Sequence, residues 1–226
     1  EADVVGASLG SIRNVEWLEG AGLAAGRWGV GCDAGCRAFD INGVVTDHIF
    51  VAGDVARAPH VLYGYEYLAL EHWDNAVSGA EVAANNMLHL EVGRRPHLPL
   101  PSFWSGQFGV NIKSVGVCSF GDEIVFTQGS PEDRRFAAAY GKNGRIVGAV
   151  TFNHGKWLPY YAELIERSAP FPPPPPGYDR PANTSAYSGV MPARFPDPRE
   201  PAGNPDVVLT GHDPTDRRAE FRPRSH

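Results

Sequence analysis

Five successive prolines, Pro172 to Pro176, set the outer limit of what this chain can pack into a core. Each lacks the amide donor that a helix or sheet interior requires, and the residues beyond run polar to His226 with little apolar surface to bury. Residues 170–226 are therefore expected to form an extended or disordered Pro-rich tail. Such a segment can act as a polyproline ligand for a partner, but a solvated tail accounts for it more simply.

Within that limit the residue pattern changes near Pro101. Before it, short strands and helices alternate. Ala2 to Leu9 reads as a buried strand running into Gly10, and Val15 to Glu19 as a short helix stopped by Gly20 and Gly22. Ile49 to Ala52 reads as a parallel strand ended by Gly53-Asp54. Glu71 to Leu88 has helical periodicity, with Trp73, Ala76, Val77, Ala80, Ala83, Ala84 and Leu88 near one face. After Pro101 the pattern predicts antiparallel strands at Val110–Val117, Glu123–Gln128, Phe136–Tyr140 and Ile146–Phe152. Asn143-Gly144 supplies the positive backbone angles of a tight hairpin between the last two. A helix over Trp157–Glu166 follows, with Leu158, Tyr161, Ala162 and Ile165 as its apolar side. The expected fold is an α/β segment followed by a small α+β domain.

Composition excludes several classes of function. With 42% hydrophobic and 20% charged residues the chain has the balance of a soluble globular protein. A net charge of −6 argues against nucleic acid, whose phosphates demand a basic surface. No apolar run approaches the roughly 18 residues that cross a bilayer, and the amino terminus lacks the order of a secretory signal, so no membrane contact and a cytoplasmic location are expected. Cys32, Cys36 and Cys118 are an odd number, and the C-x3-C pair lacks a second ligand pair, so structural thiols and no metal site are expected. Irregular spacing of His48, His60, His72, His89 and His97 gives the same expectation.

The informative stretch is Thr46 to Asn75. Glycine at 53 lets backbone approach a ligand, and the carboxylate of Asp54 can accept hydrogen bonds from sugar hydroxyls. A helix starting near Trp73 would aim free amides at electron-rich atoms. A plain turn at Gly-Asp, a helix-end charge at Glu71 and a core aromatic at Trp73 explain the same letters.

The run T-D-x-I-F-V-A-G-D-V-A-R, then L-Y and E-H-W-x-N-A, resembles the second FAD-binding motif of the pyridine-nucleotide-disulfide-type flavoprotein reductases. More narrowly it resembles the branch that reduces ferredoxins for dioxygenases and monooxygenases, related to rubredoxin reductase and apoptosis-inducing factor. F-W-S-G-Q-F-G, Phe103 to Gly109, resembles the opening of that branch's carboxy-terminal domain, with Gly106 replacing an aspartate. The resemblance implies a partial FAD/NAD(P)-binding Rossmann-like domain and a small α+β reductase domain. It implies residues 1–10 as the end of the NAD(P)-binding domain, 11–100 as the last part of the FAD-binding domain and 101–169 as the reductase carboxy-terminal domain.

It further implies that Gly53 and Asp54, with the amide of Val55, hold the ribityl or phosphate part of FAD. Trp73 would place an amide near the pyrimidine end of the flavin, Trp104 would wall the ring, and Glu71 and Gly10 belong to the same site. NAD(P)H is the implied electron donor and a ferredoxin of 2Fe-2S type the acceptor, with no side-chain acid or nucleophile required. No G-x-G-x-x-G follows a strand, so both dinucleotide fingerprints are expected upstream, in amino-terminal FAD/NAD domains or an equivalent, and the chain reads as a fragment or truncated product. The rival reading is a degenerate, non-catalytic interaction module unable to hold FAD alone.

Overall fold

The computed structural model describes Gly6, residues 11–174 and two later strand segments. A short helical turn at Glu16–Leu18 is followed by strands β1 (Ala25–Gly26), β2 (Gly29–Gly31), β3 (Arg37–Phe39), β4 (Val45–Phe50), β5 (Ala56–His60) and β6 (Glu66–Leu68), then helix α1 (Trp73–Leu88). One sheet has the order β1-β2-β5-β6, while β3 and β4 pair separately. The strand expected at Ala2–Leu9 lies outside the described residues, apart from Gly6.

The parallel strand expected at Ile49–Ala52 is not parallel: β4 stops at Phe50 and runs antiparallel to β3. Local turn chemistry decides this. The Asp40 carboxylate accepts from the amides of Asn42 and Val44, both at 2.8 Å, and Gly43 takes φ +78, so the chain reverses on itself. Parallel pairing is supplied instead by β2 and β5, where Val30 faces Ala56.

The second unit is a five-stranded antiparallel sheet of order β7-β8-β11-β10-β9, built from β7 (Ser102–Gln107), β8 (Val110–Gly116), β9 (Glu123–Ser130), β10 (Arg135–Lys142) and β11 (Arg145–Phe152). The four strands read from periodicity are present, and β7 is added by the segment read only as a motif. Asn143 and Gly144 turn with φ +51 and +72, which sets Lys142 opposite Arg145. Helix α2 (Leu158–Glu166) buries Tyr161 and Ile165 on the sheet against Val115, Ala137, Ala139, Ile146 and Ala149. Each large side chain buried there contributes about 1.5–3 kcal/mol.

The start of the expected tail is packed rather than free. The amide of Phe171 donates to the carbonyl of Gly144 at 2.9 Å, and its ring joins the α2 core. Proline lacks a donor but keeps its carbonyl, so Pro170 can still bridge to Arg145 at the end of β11. Farther along, β12 (Val207–Thr210) pairs antiparallel with β13 (Glu220–Pro223), and the rest of the expected disordered tail lies outside the described residues.

Helix α1 buries only part of the face its apolar residues predict, Ala83 fully and Ala76 partly. Gly79, Val82, Ala83 and Asn86 point inward, whereas Trp73, Val77, Ala80, Ala84 and Leu88 are exposed. Asn86 decides the orientation. Its amide donates to the carbonyls of Gly35 and Arg95 and accepts from the Arg95 amide, satisfying loops on both sides of the helix. Gly79 lets His97 approach, with ring atoms 3.3 Å from where a Cβ would stand. Among the described residues no helix is long and apolar enough to cross a membrane.

Tyr63 joins the two units. It is 1% exposed, its hydroxyl donates to the Val147 carbonyl at 3.1 Å and accepts from the Val117 amide at 3.0 Å, and Phe120 packs edge-on against its ring. Tyr63→Phe keeps the packing and removes both hydroxyl bonds, while the Val117 amide keeps its own bond to the Val147 carbonyl at 3.0 Å. A loss of about 0.5–1.5 kcal/mol in urea unfolding is expected, and an unchanged midpoint would contradict the bridging role.

Candidate functional site

The Gly53–Val55 segment forms a single helical turn directly after β4. Gly53 takes φ +77, and a Cβ added there would stand 3.7 Å from that of Ala76, so the turn lies against the first turn of α1. Asp54 is exposed, and its carboxylate has no partner among the described residues. Val55 packs its side chain against the first core, beside Val15 and Val51. This leaves the Asp54 carboxylate free to accept hydroxyl hydrogen bonds.

Arg13 stabilises this arrangement. Its Nε donates to the carbonyl of Asp54 at 2.8 Å, and its guanidinium pairs with the Glu71 carboxylate. Glu71 is thereby committed to a protein partner, and its place in the site is that of a positioning residue. Arg13 falls inside the Gly10–Asn14 segment; its charge beside a cofactor motif was the only signal available in the sequence. Gly10 itself lies outside the described residues.

Helix α1 begins without a side-chain cap. His72 occupies the N-cap position but makes no capping bond, so the amides of the first turn remain available to an anion. The Asn75 amide donates instead to the Leu70 carbonyl at 3.0 Å, fixing the chain's entry into the helix. His72 lies against Phe103, ring centroids 5.6 Å apart, with its Nδ1 buried and unpartnered. Burial holds its pKa below the usual 6.5, against the opposing pull of Asp54, Glu71 and Asp74. A neutral ring is thus built into the wall of the site.

Flat apolar surface surrounds this helix start. Trp73 is 75% exposed, Trp104 53% and Phe103 41%. β7 carries Phe103 and Trp104, and the Ser102 hydroxyl anchors that strand to α1 by donating to Asp74 at 3.1 Å. Gly106, farther along β7, has open space where a side chain would project. The structure therefore gathers Gly53, Asp54, Val55, Glu71 and Trp73 at one place, and ties the strand of Trp104 to it. Nothing local in the sequence singles out His72 and Phe103, because the burial of His72 Nδ1 and the contact between the two rings arise only from the packing of β7 on α1.

Cys32 and Cys36 stand apart from this chemistry. Both are buried and unbridged, with sulfur atoms 3.4 Å from the Arg57 carbonyl and 3.7 Å from the Gly79 carbonyl. Burial, reinforced by Asp33, pushes the Cys36 thiol up to about 11, and burial raises Cys32 as well. They remain thiols at neutral pH and act as small packing residues.

Residues 102–175 match the Reductase C-terminal family. Over 169 residues the chain is 33% identical to the anthranilate 1,2-dioxygenase system ferredoxin–NAD(+) reductase component of Burkholderia cepacia, covering 74% of this chain and 39% of that protein. The chain is a relative of the carboxy-terminal part of the ferredoxin reductases. The solved structure of Fdr9 superposes with a TM-score of 0.62 at 31% identity, over 75% of this chain and 42% of that one. The reductase in the covalent putidaredoxin reductase–putidaredoxin complex gives a TM-score of 0.62 at 26% identity, over 75% and 38% of the two chains. This chain thus spans under half the length of these reductases.

The donor set fits the FAD of such a reductase in part. An unpaired carboxylate suits ribityl hydroxyls, uncapped amides suit electron-rich ring or phosphate oxygens, and exposed indoles suit a flat ring. The described residues offer no glycine-rich helix start for a pyrophosphate.

One buried histidine and two half-buried ones make stability depend on pH. His60, His72 and His97 all have pKa values lowered from 6.5, in each case chiefly by burial. The unfolded chain therefore binds more protons than the folded one just below pH 6.5. Stability is full above that value and falls as pH drops through it. Urea midpoints at pH 7.5 and 5.5 should differ, the lower pH being less stable, and His72→Gln should reduce the difference.

Proposed function

We propose that this chain supplies one side of the FAD site in a reductase that passes electrons from NAD(P)H to a ferredoxin serving an oxygenase system. The observation that carries the reading is the unpaired Asp54 carboxylate set beside the uncapped start of α1. When bound, FAD supplies the conversion of a two-electron hydride donation into single-electron steps. Asp54 accepts hydrogen bonds from the cofactor's hydroxyls or orients a phosphate through the Val55 amide. The amides at Trp73 stabilise negative charge at the pyrimidine end of the ring. Trp104 and Phe103 exclude water, and Arg13 holds Glu71 and the Asp54 backbone in place.

The remaining part of the site belongs in this reading to upstream FAD/NAD domains, with residues 1–10 closing the NAD(P)-binding domain and 11–100 completing the FAD-binding domain. The exposed Trp73, Val77, Ala80, Ala84 and Leu88 stripe supports this, since a row of apolar side chains facing water marks a surface that packs on another. The ferredoxin is of 2Fe-2S type, by analogy with electron supply to a dioxygenase.

With the upstream domains restored, Asp54→Ala should weaken FAD binding about tenfold, the worth of one charge-assisted hydrogen bond. Flavin fluorescence titration reads this directly, and unchanged affinity would remove Asp54 from the site. Val77→Asp should separately weaken association of this chain with those domains supplied as a second polypeptide. Equal association of variant and parent would assign the stripe elsewhere.

A further inference from the structure

Away from the flavin side, a pocket of about 360 Å³ opens where the first unit meets the β10–β11 hairpin and the end of α2. Its floor is apolar, formed by Leu62, Tyr63, Phe120 and Ile165, and its rim carries Lys142 and Arg145. Those two cations face each other across the tight turn as register partners. Like charges directly opposite on neighbouring strands repel, which is unfavourable to the hairpin. Neither has an acidic partner among the described residues. The Lys142 ammonium rests 4.2 Å from the centre of the Phe120 ring, which holds it over the pocket and stabilises only part of its charge.

We propose that this pocket is a binding site for a small organic anion, an oxyanion head held between Lys142 and Arg145 and an apolar body laid on the floor below. A single anion would turn the repulsion between the two cations into a shared attraction, and the volume lies in the range of small-molecule sites. Because Tyr63 and Leu62 come from the first unit and the cations from the second, the bound anion would span the junction that the Tyr63 hydroxyl holds. The proposal is independent of the flavin reading: it uses none of the residues placed around Asp54.

The test is titration calorimetry of the full 226-residue chain with 1-naphthoate, 1-naphthyl phosphate and the uncharged 1-naphthylmethanol. Binding of at least one anion, with no detectable heat from the alcohol, is expected. A preference for the phosphate ester would identify a dianionic ligand class and a preference for naphthoate a carboxylate class. Arg145→Gln and Lys142→Gln should each weaken that binding about tenfold or more, and added salt should weaken it in the parent. Both positions lie beside a surface turn, and circular dichroism of each variant should match the parent. Arg145→Gln should also raise the melting temperature of the ligand-free chain by removing the repulsion. Equal binding of the alcohol, no binding of either anion, or unchanged affinity in both variants would overturn the proposal.

Discussion

The hydroxyl of Tyr63 is the point on which the relative placement of the two units turns. It satisfies a donor on Val117 and an acceptor on Val147, residues that lie 54 and 84 positions away in sequence. Those two backbone groups also bond each other at 3.0 Å, so the buried hydroxyl is the group that must find partners, and it finds both on the second unit. The bridge therefore fixes the docking of the antiparallel sheet on the first unit. The His60 ring, bonded to the Pro99 carbonyl at 2.9 Å, and Ser102, bonded to Asp74, secure the same junction from its other side. Together these contacts set Phe103 and Trp104 beside the start of α1.

The candidate flavin site follows from that docking. Gly53 and Asp54 are brought to α1 by local chain reversal, but the aromatic surface arrives from β7 in the second unit. Arg13 joins a third stretch of chain to the same place. A ligand held there would meet side chains from both units at a backbone position that Arg13 holds, and any loosening of the junction would be felt at the site. Glu71 shows how a motif residue can change its meaning. Its carboxylate pairs with Arg13, whose Nε also holds the Asp54 carbonyl, so Glu71 acts on the position of the Asp54 backbone.

Much of the second unit was legible in the sequence because its signals are local. Asn143-Gly144 specifies a tight hairpin, and the β-branched and aromatic residues of Ile146–Phe152 and Glu123–Gln128 favour strands. The apolar side of α2 is unambiguous, since Tyr161 and Ile165 are its largest apolar pair at helical spacing and are the residues it buries. The first unit was read less well. Its strands are short, its one parallel contact joins residues far apart, and the reversal at Asp40–Gly43 competes with the parallel pairing expected for Ile49–Ala52. The face of α1 is only partly legible, because alanine marks no side strongly and the decisive residue, Asn86, is polar.

The sequence by itself determined the resemblance to the ferredoxin reductases. Gly53-Asp54, E-H-W-x-N-A and F-W-S-G-Q-F-G survive as contiguous strings, because the contacts they make depend on backbone conformation and helix starts that neighbouring residues dictate. Only the tertiary structure decided that Arg13 pairs with Glu71, that the His72 ring lies against Phe103, and that Lys142 and Arg145 share one pocket with Tyr63. Those relations join residues distant in the chain, through burial and hydrogen bonds that exist only once the two units have docked. Nothing in the local sequence encodes which side chain will meet which across that junction.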